Sequence, residues 1–134
     1  MKIGRVVMLV TTICILLFGI TALLPRTSID LVEQGNVAYV ADDQNIQRYM
    51  EKEDYDLIVN LFNDKILYSD NPSCGFSKDY AIYMNGDQYI FCVARDGCPT
   101  IYCHNERLFF RLTQEEHVML VDLLKKYGFT IPCV

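Results

Sequence analysis

The chain lacks a basic cluster. Its 12 lysines and arginines are scattered and outnumbered by 17 aspartates and glutamates, giving a formal net charge of −5 over 134 residues. Lys2, Arg5 and Arg26 flank an apolar N-terminal run. Setting them aside leaves 9 basic against 17 acidic residues, a net of −8 from Thr27 onward. That balance argues against binding of nucleic acid or anionic lipid through bulk charge. The chain also has no C-x-x-C knuckle, no internal repeat and no low-complexity tract. Asn71-Pro72-Ser73 has the outline of a glycosylation site, but proline in the middle position rules it out. The acidic residues lie over turns and helix ends, where a solvated surface accounts for them better than a catalytic carboxylate pair.

What is present begins with Val6–Leu24, a run of 19 residues without charge. At about 1.5 Å per helical residue it spans roughly the hydrocarbon thickness of a bilayer. Lys2 and Arg5 place more positive charge ahead of the run than Arg26 places behind it. The C-terminal part is therefore expected outside the cytoplasm. Two readings stand: a retained signal-anchor, giving a single-pass protein of the cell membrane, or a cleaved signal peptide, giving a secreted one. The run exceeds the ~7–15 residues of a signal core and shows no clean A-x-A cleavage pattern, which favours the anchor. Cys14 reads as an ordinary apolar residue within the span; Thr11-Thr12-Ile13 ahead of it lacks the features of a lipidation site.

The expected organisation is a signal-anchor or signal peptide over 1–26, a linker over 27–36, and an extracytoplasmic domain over 37–134. The fold class expected is α+β, with an antiparallel meander of four or five strands packed with helices. Tyr80–Met84, Asp87–Ala94, Pro99–Cys103 and Arg107–Leu112 read as strands, rich in residues that suit a pleated surface. Asn85-Gly86 and Asp96-Gly97 are strong hairpin signals, and Asn105-Glu106 a weaker one. Two-residue turns would set Ala81 opposite Ile90, Cys92 opposite Ile101, and Cys103 opposite Leu108. By strand alternation, one face then carries Ala81, Ile90, Cys92, Ile101, Cys103, Leu108 and Phe110. The other carries Tyr80, Ile82, Tyr89, Phe91, Tyr102, Phe109 and Arg111. Neither face is polar, so the sheet is covered on both sides or exposes an aromatic surface. A slip of one residue at any turn would flip the strand that follows.

Around the meander, Val37–Val40 and Ile66–Tyr68 read as short strands. Asp42 and Asp43 offer an N-cap for a helix carrying Ile46, Tyr49 and Met50 on one side. Leu57, Ile58, Leu61 and Phe62 repeat that pattern, as a second helix after a break at Glu51–Asp54 or as one long helix. Thr113-x-x-Glu116 is a capping box. It opens a helix over Gln114–Tyr127 with the stripe Val118, Leu120, Val121, Leu124 and Tyr127, and Gly128 suits its C′ position.

Five cysteines lie beyond the apolar run: Cys74, Cys92, Cys98, Cys103 and Cys133. In an oxidising compartment disulfides are expected. The ends of the meander strands suggest Cys74–Cys98 and Cys103–Cys133, with Cys92 a buried thiol. The rival pairing, Cys92–Cys103, needs the register shifted by one. Cys92, Cys98, Cys103 and His104 form a nominal zinc set, but their spacing lacks the tight knuckles of structural sites, so no metal and no cofactor is assigned. His104 in a turn reads as solvated, and His117 as an edge-of-core residue.

No catalytic constellation emerges. The function expected is a small, disulfide-stabilised, membrane-tethered or secreted domain acting as a non-catalytic binding module at the cell envelope. Residues 6–24 would engage the membrane. Tyr80, Tyr89, Phe91, Tyr102, Phe109 and Arg111 would meet a protein partner or a second copy of the chain. The alternative is a thiol-dependent enzyme or redox protein using Cys98 or Cys103, which needs a depressed thiol pKa.

Overall fold

A computed structural model describes residues 2–29, 38–41, 47–70 and 72–129. The fold is α+β. In chain order it comprises α1 (Lys2–Ala22), β1 (Ala38–Ala41), β2 (Gln47–Tyr49), α2 (Lys52–Phe62), β3 (Ala81–Met84), β4 (Tyr89–Val93), β5 (Thr100–Cys103), β6 (Leu108–Arg111) and α3 (Gln114–Lys126). One antiparallel sheet has the order β2-β1-β3-β4-β5-β6, and its β3–β6 part is the expected meander.

The hairpins decide which residues share a face. Gly86 and Asp87, at φ 63° and 66°, form the centre of the first turn, and the Gln88 N–H donates to the Asn85 carbonyl at 3.3 Å. Both central residues have the positive φ of a type I′ turn. The turn therefore sits one residue later than Asn85-Gly86. Ala81 pairs with Cys92 and Tyr83 with Ile90; the register moves by two and each residue keeps its face. The second connection differs. Cys98-Pro99 lengthens the loop beyond Asp96-Gly97, and Cys92 pairs with Tyr102 and Phe91 with Cys103. That is a shift of one, which turns β5 and β6 over relative to the expected arrangement. The third hairpin has the expected register, Cys103 opposite Leu108 and Ile101 opposite Phe110.

The inner face consequently carries Ile82, Met84, Phe91, Val93, Ile101, Cys103 and Phe110, all in one core with α2 and α3. Phe62 of α2 meets Phe91 and Phe110 edge-on, with ring centroids at 4.9 and 5.2 Å. Edge-to-face pairs of this kind add to the apolar area that the rings remove from water. α2 buries Tyr55, Ile58, Val59, Leu61 and Phe62, the second of the two helical patterns. The first pattern is not a helix through Tyr49, because Gln47–Tyr49 pairs with β1, Tyr49 opposite Tyr39. A triplet as short as Ile46, Tyr49 and Met50 fits a helical period without specifying it, and the backbone groups of β1 supply a ladder instead. Val37, Asp42, Asp43 and Ile46 lie outside the described residues.

α3 has both expected ends. Thr113 Oγ1 accepts from the Glu116 N–H at 3.2 Å, while Glu116 Oε2 accepts from the Thr113 N–H at 2.9 Å. At the other end Gly128 takes φ 79°, and the Gly128 and Phe129 N–H groups donate to the Lys125 and Leu124 carbonyls, a Schellman closure. The end of α3 also completes the start of α2, which has no side-chain cap of its own. Tyr127 Oη accepts from the Glu51 N–H at 2.9 Å and donates to Asp54, and Lys126 Nζ reaches Glu51 and Asp54 at 2.5 and 2.7 Å. These acids lie at the positive end of α2 and the lysine at the negative end of α3, so the helix dipoles reinforce the corner.

The beginning of the expected linker is part of the domain. Thr27 and Ile29 are buried. The Thr27 N–H donates to the Lys65 carbonyl at 2.8 Å, and Thr27 Oγ1 donates to the Phe62 carbonyl at 2.5 Å and accepts from the Lys65 N–H at 2.7 Å. Residues 30–36 of that linker lie outside the described residues. Tyr68 extends the sheet past β6 by exchanging two 2.9 Å backbone bonds with Phe109. None of the described side chains of α1 joins the core, and Met8, Leu9, Ile15 and Leu16 on it are exposed. Among the described residues, no helix is long and apolar enough to cross a membrane; on α1 the described side chains are those of Val7–Leu16, Gly19 and Ile20.

Candidate functional site

The outer sheet face, away from α2 and α3, is where side chains of interest gather. Ala81, Ile90 and Cys92 are buried there beneath Phe76, Tyr83 and Tyr102. Phe76 comes from the segment before β3. That segment is held across the sheet by the Arg95 N–H, which donates to the Gly75 carbonyl at 3.3 Å, and by Tyr83 Oη, which donates to the Lys78 carbonyl at 2.8 Å. The rings form a continuous half-buried patch. Phe76 lies 5.9 Å from Tyr102 and 5.5 Å from Phe109, Tyr102 lies 4.8 Å from Phe109, and Tyr68 lies 6.2 Å from Phe109. His104 stands edge-on to Tyr102 at 6.0 Å.

The six residues expected to form one partner surface are divided by the β4–β5 register. Tyr80 and Phe91 are core residues at 4% and 3% exposure, and half-buried Tyr89 packs against that same core with its ring stacked 6.2 Å from Phe91. Only Tyr102, Phe109 and Arg111 face outward. Phe76, Tyr68, Tyr83 and His104 complete the patch. Phe76 stands in a loop where no period announces a face, so only its neighbours in space reveal it.

Among the cysteines, the structure brings Cys74 and Cys98 together, with their sulfurs 2.9 Å apart and not bonded; a disulfide bond would measure ~2.05 Å. Asp96 joins them, its carboxylate and the two sulfurs lying within 4.8 Å of one another. Its Oδ1 accepts from the Cys98 N–H at 3.1 Å. The two thiols differ in character. Burial, followed by the neighbouring Cys98, pushes Cys74 up to about 12. For Cys98, burial opposes ionisation, but hydrogen bonds from Cys74 and Thr100 outweigh it and hold the thiol below its ordinary value. Two sulfurs and one carboxylate oxygen are three of the four ligands that a tetrahedral Zn²⁺ takes.

The other cysteines stand apart. Cys92 is buried on the outer face and Cys103 on the inner face, so their proposed bridge is excluded by the thickness of the sheet, and the nominal zinc set with Cys98 and His104 does not assemble. Burial raises Cys92 to about 11 and Cys103 to about 12, which removes Cys103 as an activated nucleophile. Cys133, its expected partner, lies outside the described residues. His104 is half-buried rather than solvated. His117 is buried at 3% exposure; among the described residues its Nε2 has no hydrogen-bond partner, and burial lowers its pKa. A cavity of about 300 Å³ lies between the 25–29 segment and the sheet, walled by Ile29, Leu67, Phe91, Cys103 and Leu108, with Arg26 and Glu106 also in its lining.

No known protein family, curated protein or solved structure matches the chain.

Proposed function

We propose that the chain is a small domain, tethered to the membrane or secreted, that acts as a non-catalytic binding module at the cell envelope. The observation that carries this reading is the outer sheet face. Among the described residues, α2 and α3 cover the inner face, and Phe76, Tyr102 and Phe109 remain half-buried on the other. A monomer seldom leaves a contiguous apolar patch without a use, and Tyr and Arg are enriched where partners bind. The tether is supported by the uncharged run Val6–Leu24 and the charges at Lys2 and Arg5, which orient the domain outside the cytoplasm. In that compartment Cys74 and Cys98 oxidise to a disulfide, which clamps the Phe76 segment over the sheet.

Replacing Phe109 with a photo-crosslinking phenylalanine in cells tests the reading. A second protein is expected to be captured from this position, and not from exposed Asn60 on α2. Equal capture at both positions, or none at Phe109, would remove the outer face as a binding surface.

One observation favours a second reading, a redox protein: the lowered pKa of Cys98 beside a second thiol. Thiol titration of the folded chain separates the two. The binding module presents no rapidly reacting thiol beyond the membrane segment, whereas a redox protein presents Cys98 as a reactive thiolate.

A further inference from the structure

We propose that the outer sheet face docks an acidic segment of a partner protein, with Phe76, Tyr102 and Phe109 as an aromatic floor and Lys78, Arg107 and Arg111 as a cationic rim. The inference rests on the binding-module reading and supplies the chemistry of the partner.

The cations of this acidic domain are unevenly employed. Elsewhere they are engaged by carboxylates: Arg26 with Asp64 at 3.0 Å, Lys52 with Asp56 at 2.8 Å, Lys65 with Glu116 at 2.5 Å, and Lys126 with Glu51 and Asp54. Lys125 lies 3.7 Å from Asp122, and Arg95 lies over the Tyr80 ring at 5.6 Å. Among the described residues, Lys78, Arg107 and Arg111 carry no ion pair, and all three are exposed.

These three surround the aromatic patch. Arg111 follows Phe109 by two positions on β6 and shares its face. Arg107 stands in the β5–β6 turn beside His104. Lys78 ends the Phe76 segment, where its carbonyl receives the Tyr83 hydroxyl. The His104 ring feels both neighbouring charges: burial first, then Lys78 and Arg107, lower its pKa. Acids also stand near this face: Asp79, which accepts from Ser77 at 3.1 Å, and Asp87 both act on the Tyr83 hydroxyl, at the β3–β4 side of the patch, while Glu106 lines the cavity near the inner face.

A floor of rings with a rim of cations that carry no ion pair among the described residues complements a segment that carries carboxylates among apolar side chains. Arginine forks bind carboxylates in bidentate fashion, and opposed charge fixes register and speeds encounter. A second copy of this chain fits less well. A two-fold interface places the same patch on both sides, so cationic rim would meet cationic rim. An anionic lipid surface also fits less well, since an extended plane of negative charge meets the whole facing side of a domain of net −8, whereas a short segment lies within a screening length of the rim alone.

The test uses the full-length chain in neutral detergent micelles and a short fluorescent peptide of alternating Glu and Leu, with a Lys-Leu peptide as control. Binding of the acidic peptide alone is expected. The double variant R107E/R111E weakens it about tenfold, while K52E, on a cation already paired on α2, leaves it unchanged. An unaltered melting curve for R107E/R111E shows that the fold is intact. Equal binding of both peptides, abolished by Y102S/F109S, overturns the acidic chemistry but keeps the binding face. No peptide binding, with crosslinks still formed from position 109, has the same meaning. No peptide binding and no crosslinks overturn both readings. Dimerisation abolished by R107E/R111E, or preference for phosphatidylglycerol vesicles over neutral ones, assigns the face to a second copy or to lipid and overturns the proposal.

Discussion

Truncating Phe91 and Phe109 to alanine, one at a time, asks directly which way β5 and β6 face. Phe91 is 3% exposed and sits among Phe62 at 4.9 Å and Phe110 at 6.1 Å. Its removal leaves a cavity enclosed by α2 and the sheet, a change that costs ~3–5 kcal/mol. Phe109 is half-buried and packs sideways on Tyr102 and Phe76 at 4.8 and 5.5 Å. Only part of its area leaves water on folding, and solvent can fill the space it vacates, so its loss costs about 1–2 kcal/mol. With a urea slope of about 1.5 kcal/mol/M, the unfolding midpoint drops by ~2–3 M for F91A and by ~1 M for F109A. Far-UV circular dichroism of the full chain in detergent reads both. F91L, expected to cost about 1 kcal/mol, provides a milder probe of the same site if F91A does not fold. Equal losses at the two positions would mean that both rings share one face, and would refute the register and the outer patch together.

Further outcomes follow from other parts of the fold. Gly128→Ala destabilises by about 1–2 kcal/mol, because φ 79° is left-handed and a Cβ would come within 3.1 Å of the Arg48 guanidinium; a thermal melt unchanged by this substitution would contradict the α3 closure. Acid weakens the fold in two stages. Buried His117 has a lowered pKa, so the stability it contributes is complete above the ordinary imidazole value of about 6.5 and is lost as pH falls through its depressed value. Asp54 is lowered by hydrogen bonds from Lys126 and then Tyr127. For Glu116, burial works the other way, but hydrogen bonds from Lys65 and Thr113 prevail. The stability from these two carboxylates is present above the ordinary range near 4 and is lost as pH falls through their lower values. A urea midpoint that is level between neutral pH and pH 5, or a slope there that His117→Leu does not reduce, would sink the histidine assignment. Cys92, at 1% exposure with its pKa raised to about 11, resists iodoacetamide in the folded chain and reacts on unfolding; fast native labelling at this position would contradict the cover that Phe76 provides.

Local chemistry made α3 legible at both ends, since a capping box and a C′ glycine state their roles within four residues of where they act. Alternation made the inner faces of β3 and β4 legible even with the turn misplaced, because a displacement of two preserves parity. The β4–β5 connection was not legible. Asp-Gly is compatible with a tight hairpin, but Cys98-Pro99 can be read as strand or as loop, and one residue of ambiguity turns over half the sheet. β2 was missed because its three residues carry too little pattern to outweigh the helical spacing around them. The candidate site suffered from both problems. Tyr102, Phe109 and Arg111 were found by strand pattern and then grouped with the wrong neighbours. The rim emerged only once the long-range pairs Lys65–Glu116 and Lys126–Glu51 showed which cations were occupied, and no local period records that.

Non-reducing peptide mapping of the protein recovered from its native location bears most directly on the proposal that an N-terminal apolar run delivers a stapled domain to an oxidising space. A peptide pair joined through Cys74 and Cys98, with Cys92 recovered as a free thiol, is the predicted result. Both Cys74 and Cys98 recovered as free thiols would contradict it.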